Sequence, residues 1–192
     1  MPNSLSALVV AVGALLLQAS APAAAQTVLY DKSRITCISR QENVPVEAQF
    51  KKFTAQVAFD PAKPEASKVQ IEIDVDSFDI GFADFNQEAK GKSWFDARTF
   101  PRARFVSAGT RGLGGGRFEV RGPLTIKGKT AEIVAPFTYK EDAGTGVFEG
   151  AFTIKRLQYN IGEGAWKDTY TVADDVQIKF RIVVAAKPAA KK

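Results

Sequence analysis

The 192 residues contain no histidine, one cysteine (Cys37) and one methionine, Met1. Without histidine there is no Ser-His-Asp or Cys-His nucleophile, no imidazole ligand for zinc or copper, and no histidine-held haem. A lone cysteine closes no internal disulfide. Cys37, between Ile35 and Ile38 in an apolar-leaning stretch, reads as a buried, unreactive thiol. The apolar run Leu5 to Leu17 falls short of the ~20 residues of a membrane-spanning helix. One-sided charge is scarce too. The formal net charge is +5, and Lys187, Lys191 and Lys192 supply three of those charges. Acids and bases are interspersed over the rest, with no nucleic-acid-binding motif, so no nucleic-acid partner is expected.

The two ends separate from the body. Leu5 to Leu17, followed by Ala23-Ala24-Ala25, predicts a cleaved secretory signal over residues 1–25, although Met1 to Ser6 lack Lys and Arg. No cysteine stands at that site to carry a lipid anchor. Residues 26–185 then form one exported, periplasmic domain, and residues 186–192 a disordered basic tail.

Within the body the dominant period is two. Lys68 to Asp76 alternates without fault, placing Val69, Ile71, Ile73 and Val75 on one face and polar side chains on the other. The same alternation runs through Phe53-Ala55-Val57-Phe59, Phe118-Val120-Gly122-Leu124-Ile126, Phe148-Gly150-Phe152-Ile154 and Val176-Ile178-Phe180-Ile182. Less regular strands fit Val28 to Arg40, Arg104 to Thr110 and Ile133 to Lys140, making eight. Asp60-Pro61, Gly112 to Gly116, Lys127-Gly128-Lys129 and Asp142 to Gly146 punctuate them as short turns, so successive strands are antiparallel neighbours. The expected fold is all-β: an eight-stranded antiparallel barrel, closed so that no edge is exposed. Gly122-Pro123 inside a strand predicts a bulge or bend.

Two insertions interrupt the meander. Between strands 3 and 4, Ala83 to Lys90 fits two helical turns with Phe85 and Ala89 on one face, and the aromatic stretch Trp94 to Phe105 follows. The second, Leu157 to Ala173, carries Tyr159, Ile161, Trp166 and Tyr170. Aromatic rings left in water forgo roughly 1.5–3 kcal/mol each, so these segments must cover something or be covered. Asp74, Asp76 and Asp79 lack the glycine and glutamate of a calcium loop, and no pair of acids faces one concavity, so neither a metal site nor catalysis is expected. Gly112 to Gly116 precedes no helix and reads as a flexible hairpin tip, not a phosphate cradle.

The stretch Trp94-Phe95-Asp96-Ala97-Arg98-Thr99-Phe100-Pro101-Arg102-Ala103-Arg104-Phe105, with Phe59-Asp60-Pro61 before it and Gly122-Pro123-Leu124-Thr125-Ile126-Lys127-Gly128 after it, resembles the YceI-like family of secreted lipid-binding proteins. The resemblance spans about Tyr30 to Ala185. It implies a lipocalin-like barrel holding a polyisoprenoid, a quinone-like lipid or another long-chain amphiphile, with no resident cofactor besides that ligand.

Parity and the insertions together nominate the ligand contacts: Phe53, Ala55, Val57, Phe59, Ile71, Ile73, Phe105, Leu124, Ile126, Phe152, Ile154 and Phe180 from the strands, and Phe85, Trp94, Phe95, Phe100, Tyr159 and Trp166 from the insertions. Arg156 falls on the apolar parity of Phe152 and Ile154, where a guanidinium must find an acceptor. Two readings stand: an anchor for a ligand's polar head, or a pair with a carboxylate such as Glu163 or Asp168. The expected activity is a non-catalytic carrier or store for an apolar chain. The rival is a solid-cored module docking on a membrane redox protein such as a cytochrome. Transient membrane contact and a homodimer are both compatible with the sequence.

Overall fold

The computed structural model describes residues 25–185; the basic tail and all of the expected signal but Ala25 fall outside them. Eleven strands form a single antiparallel sheet: β1 (Arg34–Gln41), β2 (Val44–Phe50), β3 (Phe53–Ala58), β4 (Lys68–Asp74), β5 (Phe78–Asp79), β6 (Arg102–Val106), β7 (Gly109–Gly114), β8 (Arg117–Ile126), β9 (Lys129–Asp142), β10 (Thr145–Lys155) and β11 (Asp175–Ala185). Helix α1 (Ala83–Lys90) lies between β5 and β6. Neighbours run β3-β4-β6-β8-β9-β10-β11-β1-β2-β5, with β7 also on β8.

Two-residue turns explain four of these ten pairings, β1 with β2, β7 with β8, β8 with β9 and β9 with β10. Glu42-Asn43, Gly115-Gly116, Lys127-Gly128 and Ala143-Gly144 each place both central residues at positive φ. That is the turn whose twist matches a right-handed hairpin. Elsewhere the chain bends. At Lys51-Lys52 the β2–β3 strand turns a corner, held where Asp74 N–H donates to Lys52 O (3.0 Å) and Lys51 N–H to Ser77 O (3.1 Å). The first half of this long hairpin therefore flanks β1, and the second half flanks β6.

The curled sheet has a seam between β3 and β11, and the segment before β1 closes it. Gln26 N–H donates to Val57 O (2.7 Å), Leu29 N–H to Val183 O (2.8 Å), and Ala185 N–H to Thr27 O (2.8 Å). The Gln26 side chain adds its Oε1 as acceptor for Phe59 N–H. Inside that seamed end, Phe59 sits among Phe118, Phe137, Tyr139 and Phe148, with ring centroids 4.9–5.9 Å away. Interlocked rings thus plug one end of the barrel.

The all-β antiparallel barrel stands, with eleven strands where eight were expected. The additional ones are β2, β5 and a division of Arg104 to Thr110 into β6 and β7. Gly122-Pro123 makes no bulge against β9, because that register is unbroken from Arg117 to Ile126. Gly122 marks where β6 leaves β8: a Cβ there would lie 2.1 Å from Val106 O. The register shift falls between Gly112 and Gly114 of β7, so the glycine run is largely strand, with only its tip a turn.

Candidate functional site

Between the plug and the insertions the barrel is hollow. An inner compartment of about 140 Å³ is walled by Val57, Phe59, Val69, Ile71, Ile73, Phe105, Val120, Leu124, Phe152, Phe180 and their neighbours. Thr110 supplies the one polar side chain of that wall. The strand parity explains the composition: one face of every strand but β5 contributes to this lumen. It also explains why Ile71, Ile73, Phe152 and Phe180 point inward yet remain only half-buried.

A second compartment of about 160 Å³ continues outward and shares Phe50, Phe95, Ile126 and Ile178 with the first. Its walls come from the ends of β1, β10 and β11, from α1 and from both insertions; Ser39, Gln41 and Glu88 bring polarity to it. This is the mouth. Exposed apolar side chains stand around it. Phe85 lines it and meets Phe82 edge-on at 6.0 Å, and both rings are more than half exposed. Val44 begins β2 opposite Gln41, and exposed Tyr170 adjoins Thr171, whose carbonyl accepts from Glu42 N–H.

Two buried cations fasten the insertions over this end. Arg156 is 2% exposed. Its five N–H groups meet five backbone carbonyls: Nε donates to Ala173 O (3.0 Å), Nη1 to Ile161 O and Gly162 O (2.8 and 3.3 Å), and Nη2 to Trp166 O and Val172 O (both 2.7 Å). The fork is fully spent. Burial draws its pKa down, and Asp174 and Asp168 oppose that at longer range. Trp94 covers the guanidinium at 5.7 Å, and Trp94 packs on Trp166 at 5.4 Å. Lys127 does the equivalent on the other side. Its Nζ donates to Lys92 O, Asn160 O and Glu163 Oε2 at 2.7–2.8 Å. The hydrogen bond from Lys127 holds the Glu163 carboxyl below its usual range. Ser93 O accepts from both Gly162 N–H and Glu163 N–H, joining the insertions through their backbones.

Of the nominated contacts, Val57, Phe59, Ile71, Ile73, Phe105, Leu124, Phe152 and Phe180 line the inner compartment, and Phe95 and Ile126 line both. Phe85, Trp94, Ile154 and Trp166 line the mouth. Four lie off both walls. Phe53 packs on Tyr30, Ala55 is buried with its backbone N–H donating to Tyr30 Oη, Phe100 sits over the Lys127-Gly128 turn, and Tyr159, at the start of the second insertion, is fully buried. Arg156 borders the mouth yet fits neither reading given to it. It has no N–H left for a ligand and pairs with no carboxylate; it organises Ile161 to Ala173 instead. Cys37 is buried as expected and lines the mouth, its thiol pushed up to about 12 by desolvation and then by Glu47.

Sequence reasoning missed Lys127, Thr110 and Phe50. Lys127 lay inside a turn signal, where a lysine looks solvated; Thr110 lay at the end of an irregular strand; Phe50 belongs to an unrecognised strand. Among the described residues no cluster of three His, Cys, Asp or Glu could hold a metal ion, and no helix is long and apolar enough to cross a membrane.

Comparison with known proteins places this architecture. The YceI-like domain matches residues 27–184. A UPF0312 protein of Pseudomonas savastanoi pv. phaseolicola is 32% identical over 142 residues, covering 70% of this chain and 72% of its own. The crystal structure of Burkholderia cenocepacia BcnA superposes with a TM-score of 0.80 at 49% identity, covering 81% of this chain and 98% of that one. A polyisoprenoid binding domain from Saccharophagus degradans shares the fold alone, with a TM-score of 0.67 at 16% identity over 84% of this chain and 98% of its own. With its strands, its hollow interior and the match over nearly the whole described chain, the protein belongs to the YceI-like family.

Proposed function

We propose that this protein is a non-catalytic carrier or store for a long-chain isoprenoid or similar amphiphile, held in the barrel and exchanged through the capped mouth. The observation that carries this reading is the continuous apolar lumen, walled almost wholly by hydrocarbon side chains. A solid-cored docking module needs no such space, because protein interiors otherwise pack without large voids. The polyisoprenoid binding named for the Saccharophagus domain agrees in ligand class. At about 0.8 kcal/mol per buried CH₂, a lipid chain gains as much in the lumen as in a bilayer, so transfer between the two is close to thermoneutral. Val44, Phe82, Phe85 and Tyr170 around the mouth suit brief contact with a membrane surface. Export to the periplasm, where such shuttling would occur, is part of the proposal and rests on the leader sequence.

Mass spectrometry of the organic extract of protein purified from its native host tests the reading. A stoichiometric long-chain lipid is the expected result. Protein that carries none, and takes up no polyprenyl probe from vesicles, would end it.

A further inference from the structure

We propose that Thr110 is the hydrogen-bond partner of a neutral oxygen on the ligand, so that the amphiphile lies with its polar end deep in the barrel, against the aromatic plug. The inference rests on the carrier reading and specifies the ligand's chemistry and direction. Thr110 pairs with Val120 on β8, one inward position above Phe118 of the plug. It is 7% exposed, and its Oγ1 has no hydrogen-bond partner. A buried hydroxyl without a partner costs free energy that folding rarely tolerates without a reason. Its methyl and hydroxyl share one Cβ, and a single staggered step about χ1 carries the hydroxyl into the methyl's place and the methyl into that of the Cβ hydrogen, so the hydroxyl reaches the lumen without backbone movement.

Water is a poor partner at this place. A buried water needs two to four polar contacts, and Thr110 is the one polar side chain of the inner wall. An oxygen attached to a long apolar chain is different, because the chain's burial holds it in position. A hydroxyl both donates and accepts, so an alcohol, phenol, quinone carbonyl or amide oxygen would serve. An anionic head would not. No cation lines the inner compartment, and the two buried cations nearest the mouth have spent every donor on carbonyls and Glu163. A phosphate there would be an uncompensated buried charge. The other unpartnered polar group facing the ligand path is Trp94 Nε1, in the mouth wall. It offers the opposite orientation, head outward, and is the natural control.

Farnesol, farnesyl phosphate and the parent C15 hydrocarbon, each delivered from cyclodextrin, provide the probes. Wild-type protein is expected to bind farnesol and the hydrocarbon, and to bind farnesyl phosphate at least tenfold more weakly than farnesol. Thr110→Val should lower farnesol affinity about fivefold, the worth of one hydrogen bond. It should leave hydrocarbon affinity unchanged and melt no lower than wild type. Thr110→Ser should restore farnesol binding, whereas Trp94→Phe, which alters the mouth wall, should change farnesol and hydrocarbon affinity by the same factor. A loss in Trp94→Phe confined to farnesol, with the hydrocarbon unaffected and no such loss in Thr110→Val, would overturn the proposal and put the head at the mouth. Equal effects of Thr110→Val on both neutral probes, or tight farnesyl phosphate binding, would overturn it while the carrier reading survives. Wild-type protein that binds none of the probes would remove the carrier reading, and this inference with it.

Discussion

At the scale of single residues, Arg156 decides how the mouth is built. A guanidinium offers five donors in a rigid planar fork, and here each donor closes on a different backbone carbonyl between Ile161 and Ala173. Gly162 must be glycine for this to work: its φ is +82°, and a Cβ would stand 2.1 Å from Nη1. Removing the guanidinium would strand several neutral carbonyls in an apolar setting, at about 1–3 kcal/mol for each that finds no other donor, and so several kcal/mol in all. For a chain of this size that corresponds to a melting temperature roughly 10 °C lower or more. Arg156→Ala is therefore expected to loosen the second insertion and melt early in thermal denaturation, with Arg156→Lys intermediate because three donors replace five. A drop of only a degree or two, accompanied by loss of lipid binding, would return Arg156 to the role of head anchor. Parity aims this side chain at the apolar face, but Arg156 lies one residue past β10, and its burial comes from the 3-10 turn that begins there. What parity could not supply was the path of the following seventeen residues, whose carbonyls turn inward to meet it.

At the scale of elements, the legible parts were those with a strong local signal. β4 shows unbroken alternation, and Val69, Ile71 and Ile73 all reach the inner compartment. Three of the four two-residue hairpin turns carry glycine and stood out. The fourth, Glu42-Asn43, reaches positive φ without glycine, and β2 was hidden with it. β5 was too short to show a period, and β7 is so glycine-rich that its sequence reads as a loop; both take their strand geometry from neighbours. The seam was illegible for the same reason. Nothing in Gln26 to Leu29 announces that these residues join β3 to β11, because the bonds are backbone to backbone across the fold. That closure yields a prediction. A chain beginning at Tyr30 loses the three backbone hydrogen bonds that cross the seam and the Gln26 side-chain contact with Phe59, besides the local bonds to Leu29 O. At about 1 kcal/mol net for each, it should be some 3–4 kcal/mol less stable. Denaturant melts should show the loss, and hydrogen exchange at the amides of β3 and the end of β11 should accelerate while β8 and β9 stay protected. Uniform exchange across the sheet would mean that the segment lies on the barrel without closing it.

At the scale of the whole molecule, the question is whether the lumen is meant to stay open. Two alanines separate the answers, because both are buried and only one faces the space. Ala135, 3% exposed, lines the inner compartment; Ala55, 8% exposed, belongs to the packed core off its wall. Ala55→Phe must force neighbours from their rotamers, an overpacking that typically costs 1–3 kcal/mol. Ala135→Phe instead places its ring where a ligand chain would run, and the added apolar contact offsets whatever adjustment the wall needs. The expected pattern is thus crossed. Ala55→Phe lowers the denaturation midpoint while lipid uptake per folded molecule persists, whereas Ala135→Phe keeps or raises the midpoint and abolishes most uptake of a polyprenyl probe. The contrast also protects the test from a general intolerance of bulk, since both variants add the same ring to the same barrel. Should Ala135→Phe unfold as readily as Ala55→Phe, the lumen would be a packed core with little room to give, and the aromatic cap would be better understood as a docking face than as a gate. Should it stay folded and lose its lipid, the hollow would be the functional part of the molecule, kept open against the ordinary advantage of filling it.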